Sequence, residues 1–304
     1  MSEKDQIIAL LLSRVDVNVQ LALALQQALG IDISDFWMDL CKIYDSTNPK
    51  KDYNLPDTLE CLNLNRLDMR LRNPEELPWV LSQLKKMKQM TLSFIEVFDQ
   101  QQEVDISPFL PLSEDMKSLT IYNCRLTHFP EQIRNYKGLK QLNLGHMRIN
   151  ALPDWFSELE ELDHLYLIDC NIEKLPKKFL FQSIKTIHLS KNRMSEIPES
   201  IFDNDFLFEL YLDNNRLSKI SHLISNLDLL LDLNLANNCL KEFPEGILDI
   251  KELTLLDLSN NPIPEIPDGI SELKELRVLN LSGTLVSESE KEKLKILLPK
   301  CNVS

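Results

Sequence analysis

The chain has 304 residues, 43% apolar, 26% charged and 7% aromatic, the balance of a folded protein rather than a disordered one. Its 33 basic residues against 47 acidic ones leave a formal charge of -14. No basic stripe of the kind nucleic-acid binding requires is visible, and the balance argues against adsorption to an anionic membrane. Six glycines leave little material for a phosphate-cradling loop.

In chain order, Met1 to Asp5 is mixed in charge, and the apolar run from Ile7 to Leu12 stops at Ser13-Arg14. A secretory signal needs a basic start and a longer apolar run, and no later stretch reaches the ~20 apolar residues of a membrane span. A cytoplasmic protein is expected. Residues 1–54 carry no repeat and read as short amphipathic helices. Ser34 is placed to cap the third, with Phe36, Trp37, Leu40 and Ile43 on its apolar side. They are expected to cover the end of whatever follows, with a separate docking module as the alternative. Cys41, Cys61, Cys124, Cys170, Cys239 and Cys301 form no Cys-x-x-Cys pair and read as buried, reduced thiols.

Residues 55–286 are periodic. The segments starting at Leu119, Leu142, Leu165, Ile187, Leu210, Leu233, Leu256 and Leu279 align in register, mostly 23 residues apart. Looser copies start at Leu62 and Met90. Each unit opens with Leu-x-Leu, a period-2 strand signal. Three residues after the second leucine comes a slot holding Asn192, Asn215, Asn238 and Asn261, with Cys124 and Cys170 in other units. A buried amide must be hydrogen-bonded, so stacked copies should form a ladder bonding neighbouring backbone. Met147, Leu67 and Ile95 take that slot in the remaining early units. The second half of each unit reads Leu/Ile/Phe-Pro-x-x-Ile/Phe-x-x-Leu, as in Leu152-Pro153 to Leu159 and Ile266-Pro267 to Leu273. Its spacing suits a short helical turn with one buried face and a proline at its start.

Taken together, the motif Leu-x-x-Leu-x-Leu-x-x-Asn-x-Leu-x-x-Leu-Pro-x-x-Ile-x-x-Leu resembles the 23-residue class of leucine-rich repeats, found in bacterial proteins and in intracellular Ras-group proteins. The resemblance covers about three quarters of the chain. It implies an α/β solenoid, a horseshoe of about ten coils. A parallel β-sheet would line the concave face, with short helical or 3-10 turns on the convex face, a helical N-terminal cap and a short C-terminal cap helix. At 287–304, Ser287-Glu-Ser-Glu290 matches a capping box. It opens a helix through Leu294, Ile296, Leu297 and Leu298 that Pro299 ends, and Cys301-Asn302-Val303 can add a last strand.

No nucleophile elbow, phosphate-binding loop or zinc-protease motif is present, so no enzyme and no cofactor are expected. The informative surface is the concave face. Between the paired strand leucines stand Asn63, Thr91, Thr120, Asn143, Tyr166, His188, Tyr211, Asn234, Asp257 and Asn280. At about 4.8 Å per strand, Tyr166, His188 and Tyr211 would lie side by side. Tyr122, His146, His164, Asp169, Lys191, Phe208, Glu209 and Asp213 occupy neighbouring slots. Amphipathic rings are enriched in binding hot spots, so these residues form a candidate partner-binding patch. Ordinary cross-strand stacking on an exposed sheet is the alternative. Metal binding by His164, His188 and Glu209 suffers from offset slots. Extra residues near Met69 to Glu76 and Phe98 to Asp105 form a second candidate, or equally a transition between the helical cap and the regular coils, and Glu158 to Glu161 reads as a solvated convex face beside a partly exposed Trp155. The expected function is a non-catalytic scaffold holding a neutral or basic protein, the alternative a sensor of sugars or other small ligands. The sequence says nothing of oligomeric state.

Overall fold

The computed structural model describes residues 6–7, 66–71, 86–94, 105–124, 126 and 128–304. Its strands are β1 (Arg66–Leu71), β2 (Gln89–Phe94), β3 (Ser118–Tyr122), β4 (Gln141–Gly145), β5 (His164–Ile168), β6 (Thr186–His188), β7 (Glu209–Tyr211), β8 (Asp232–Asn234), β9 (Leu255–Asp257), β10 (Val278–Asn280) and β11 (Asn302–Val303). They form one sheet in sequential order, every neighbour parallel, an α/β solenoid rather than a layered domain. The register follows the leucines: Leu119, Leu142, Leu165, Ile187, Leu210, Leu233, Leu256 and Leu279 are successive partners. All eight are buried, and so are the second apolar residues of each pair, such as Leu144, Leu167 and Leu189. A slip of one residue would turn this whole set to solvent, so burial enforces the pairing.

The N-terminal coils differ from the sequence expectation. The strand that pairs with β2 is Arg66–Leu71, with Leu67 opposite Met90 and Asp68 opposite Thr91. Leu67 is thus a buried strand residue, not an occupant of the asparagine slot, and Met69 lies within β1 rather than in an insertion. The spacing from Leu67 to Met90 is the ordinary repeat; the long step is the one from Met90 to Leu119. Leu62, Asn63, Ile95 and the segments 72–76 and 95–104 lie outside the described residues. So does the proposed helical cap, apart from helical Gln6 and Ile7, the latter buried.

The return half of six coils is a five-residue 3-10 turn. Five of them are preceded by proline, at Pro130, Pro153, Pro198, Pro244 and Pro267. The ring holds φ near -65° at the cap position, one residue earlier than the first turn position expected. Where a serine, Ser221, replaces it, its hydroxyl accepts from Leu223 N at 3.4 Å. Each turn buries its apolar residue, such as Ile133, Phe156 or Ile224.

The coil between β5 and β6 is one residue short and forms no such turn. Its backbone is satisfied by the next coil. Asn204 accepts from Phe181 N at 2.8 Å and donates to Phe179 O at 3.2 Å and Ile201 O at 2.8 Å. Ser200 accepts from Phe179 N at 2.8 Å. Phe156, Phe179 and Phe181 interlock there, with centroids 5.1 to 6.2 Å apart. On the convex surface Glu158 is not merely solvated: it takes two hydrogen bonds from Arg134, at 2.7 and 3.0 Å, and one from Lys137. Half-buried Trp155 donates to Glu131 at 3.0 Å.

At the far end, the helix Glu288–Leu297 starts on Ser287, whose hydroxyl accepts from Glu290 N. It covers the last coil with Leu294 and Leu298, both buried, while Ile296 points outward at 80% exposure. Val303 then pairs with Leu279 through β11. Of the cysteines described, Cys124 and Cys170 are buried free thiols, Cys301 is half-buried and Cys239 is exposed, contrary to the expectation of uniform burial.

Candidate binding face

Alternation along each strand puts the residues flanking the leucines on the outer surface of the sheet. Register then stacks them into columns. The middle column runs Thr91, Thr120, Asn143, Tyr166, His188, Tyr211, Asn234, Asp257, Asn280. At its centre, ring centroids are 6.0 Å apart for Tyr166 and His188 and 4.4 Å for His188 and Tyr211. His164, in the neighbouring column, stacks on Tyr166 at 6.4 Å. The structure therefore brings four of the predicted rings into one contiguous, half-buried platform. Burial pushes the Tyr211 phenol up to about 12, helped by the nearby Asp232 and Glu209 carboxylates. Burial also raises Tyr166 and lowers His188, against the pull of Asp213 and Glu209. Near neutral pH Tyr166, His188 and Tyr211 are therefore uncharged rings with polar tips.

Side chains from adjacent coils hold the charged groups around it. The Thr186 hydroxyl donates to Glu209 at 3.0 Å, so the His164 Nδ1 that meets the same oxygen at 3.1 Å carries a proton. Asp213 accepts from Ser190 at 2.5 Å and Asn214 at 2.6 Å. Asp232 accepts from Thr254 at 3.0 Å, and Asp257 from Asn280 at 2.9 Å. Fixed carboxylates need little reordering when a partner arrives. Tyr122 sits apart from the platform: its hydroxyl oxygen accepts a hydrogen bond from Asn143 Nδ2 at 2.5 Å. Its ring occupies the space over Gly145, where an added Cβ would lie 2.6 Å from ring carbons. Asn143 Oδ1 is left buried without a hydrogen-bond partner among the described residues. Phe208 lies outside the platform as well, just ahead of β7. Among the described residues no three or more His, Cys, Asp or Glu side chains gather as metal ligands; His164 and Glu209 meet through a threonine instead.

The residue before each ladder slot turns the chain off the sheet with positive φ. This column reads Asn123, His146, Asp169, Lys191, Asn214, Asn237, Asn260 and Gly283, with φ between 52° and 71°. Asparagine and glycine tolerate that region well, lysine poorly. The non-Asn, non-Gly members are therefore confined to the coils of β4, β5 and β6, beside the ring platform. His146 and Asp169 pair at 2.9 Å across neighbouring coils, while Lys191 is exposed. The recurrent Asn before the slot is the sequence signal for this turn.

Below the turn the slot residues bond the coils. Asn192 accepts from Cys170 N at 3.1 Å and Ile172 N at 2.9 Å while donating to Leu167 O at 2.7 Å. Asn215, Asn238 and Asn261 repeat the pattern, accepting from Met194, Leu217 and Leu240 N respectively. Cys170 donates to Leu144 O at 3.2 Å. Burial pushes both the Cys124 and Cys170 thiols up to about 12, leaving them unreactive.

The family model described as Leucine Rich Repeat matches residues 252–273, the coil of β9. No curated protein matches the chain. Among solved structures, the functional domain of InlJ from Listeria monocytogenes is similar with a TM-score of 0.59 at 16% identity, over 81% of this chain and 49% of that one. An internalin, InlF, from the same organism gives 0.53 at 19% identity, over 87% and 94%. A chain of the octameric complex of Latrophilin 3, Unc5D and FLRT2 gives 0.58 at 19% identity, over 79% and 82%. At these identities the likeness is one of fold.

Proposed function

We propose that this leucine-rich repeat solenoid is a non-catalytic scaffold that holds a protein partner on its concave face, centred on Tyr166, His188 and Tyr211. The carrying observation is the contiguous ring platform, with centroids as close as 4.4 Å, framed by carboxylates that neighbouring coils already hold in place. Rings of this kind bury much area while freezing few rotamers, and a rigid sheet lowers the ordering cost of binding. Lys191, Asp169 and His146 flank the platform at the positive-φ turn position that the coils of β3 to β10 share. The acidic surround and the charge of -14 favour a neutral or basic partner. The cytoplasm is the proposed location. Assembly with other proteins, named for the FLRT2-containing complex, is in keeping with this reading.

The test is affinity capture from native lysate by the wild type and by the Tyr166→Ala/His188→Ala/Tyr211→Ala variant, matched for folding by circular dichroism. A protein held by the first and lost by the second places its site on the platform; equal retention rejects it. The half-buried ring row also suits stacking of a sugar or other small ligand. A thermal-shift screen with sugars and nucleotides separates this second reading, since a protein-binding face should give no stabilisation.

A further inference from the structure

The edge of the sheet where the strands begin changes character over two coils. The residue just before each strand, and the one two places earlier, are polar over much of the solenoid: Glu161 and Asp163, Ser183 and Lys185, Glu252 and Thr254. Ahead of β7 and β8 they become Phe206 and Phe208, then Leu229 and Leu231. Phe206 is 54% exposed, and Leu229 and Leu231 are 38% exposed, although the core needs only Leu207 and Leu230 between them. The apolar surface continues to the first residues of β9 and β10, Leu255 and the 36% exposed Val278. Leu255 N bonds Leu231 O at 3.0 Å, so the two regions are adjacent. Scattered exposed leucines need no explanation, whereas a contiguous group at positions polar elsewhere marks a surface that something covers.

Its rim is acidic along both long sides, and the basic residues at its two ends, Lys185 and Arg277, are already paired with Asp163 at 3.5 Å and Glu275 at 2.9 Å. Asp205 and Asp228 are exposed on the outer side, while Glu209 and Asp232 stand between the patch and the ring platform. A second copy docked here would set carboxylate rim against carboxylate rim in a chain already at -14, which like-charge repulsion opposes. We propose that the patch is a second anchoring surface, for a segment of the protein partner in which leucine or aromatic side chains alternate with lysine or arginine. This rests on the concave face being protein-binding and gives the partner's chemistry.

Three labelled synthetic peptides, alternating leucine with lysine, leucine with glutamate, and serine with lysine, are titrated with the full chain by fluorescence anisotropy. The Leu–Lys peptide should bind, and the other two should bind at least about tenfold more weakly. The Phe206→Ser/Leu229→Ser variant, changed only at exposed positions, should lose about tenfold or more for Leu–Lys, and so should Leu231→Glu. Equal binding of all three peptides, no binding of Leu–Lys, or full binding by both variants would overturn the patch. The platform triple variant separates the two proposals. Loss there with retention in the patch variants leaves the concave reading standing and removes this one; the reverse keeps the patch and removes the rings as an anchor. Sedimentation velocity showing a dimer that Phe206→Ser/Leu229→Ser dissolves would assign the patch to self-association and overturn the proposal too.

Discussion

Asn215 illustrates what one side chain does in a solenoid. It satisfies Met194 N, Leu189 O and Leu212 O at 3.0 to 3.1 Å, none of which water reaches. An unpaired buried polar group costs about 1–3 kcal/mol, so Asn215→Ala should lower the unfolding free energy in urea by about 3 kcal/mol. A loss below about 1 kcal/mol would show that the turn relaxes to pair these groups otherwise. Lys191 makes the opposite case, since its φ of 58° suits asparagine. Lys191→Asn should raise stability by about 0.5–1 kcal/mol while weakening partner binding, a split that denaturation and titration read separately. His188 contributes a pH dependence. Its folded value lies below the ordinary 6.5 because burial disfavours the cation. The unfolded chain therefore binds the proton first, and stability present above about 6.5 should fall as pH drops through that value towards the folded pKa. His188→Gln should flatten this limb of the stability profile; an unchanged limb would locate the titrating group elsewhere.

At the scale of elements, each coil is completed by its neighbour. The short coil after β5 needs Asn204, and the last sheet edge needs the C-terminal helix to deliver β11. There Leu281 N donates to Ser304 O at 2.8 Å and Ser304 N to Leu279 O at 3.1 Å. Ser287→Ala removes the helix cap at a cost of about 1 kcal/mol. The Leu281 amide should then exchange with solvent faster by about fivefold, while amides of β7 keep their protection. Uniform acceleration across the sheet would mean that the cap and the solenoid unfold as one unit.

For the whole molecule, contacts run between successive coils, so stability is a sum of coil and interface contributions. The same geometry arrays fixed charges along one face. With Glu209, Asp213, Asp232 and Asp257 held in place there, association with a basic segment should be steered electrostatically. Its rate constant should fall about tenfold between roughly 0.05 and 0.5 M salt, with dissociation changing much less. A salt-independent association rate would remove charge from the recognition argument.

Leucine spacing alone specified the parallel solenoid, its register from Met90 onward and the meeting of Tyr166, His188 and Tyr211. Period-2 burial and a fixed repeat leave one way to stack the coils. It misplaced the first strand, because Leu62-Asn-Leu64 and Leu67-Asp-Met69 both carry the alternation and only pairing with Met90 selects the second. Which carboxylate takes which donor was decided by tertiary structure, as were the dependence of Phe181 on Asn204 and the exposure of Phe206 and Leu229 beside buried Leu207 and Leu230. Each depends on distances between residues in successive coils, more than twenty positions apart in the chain, where local propensity carries no information and packing does.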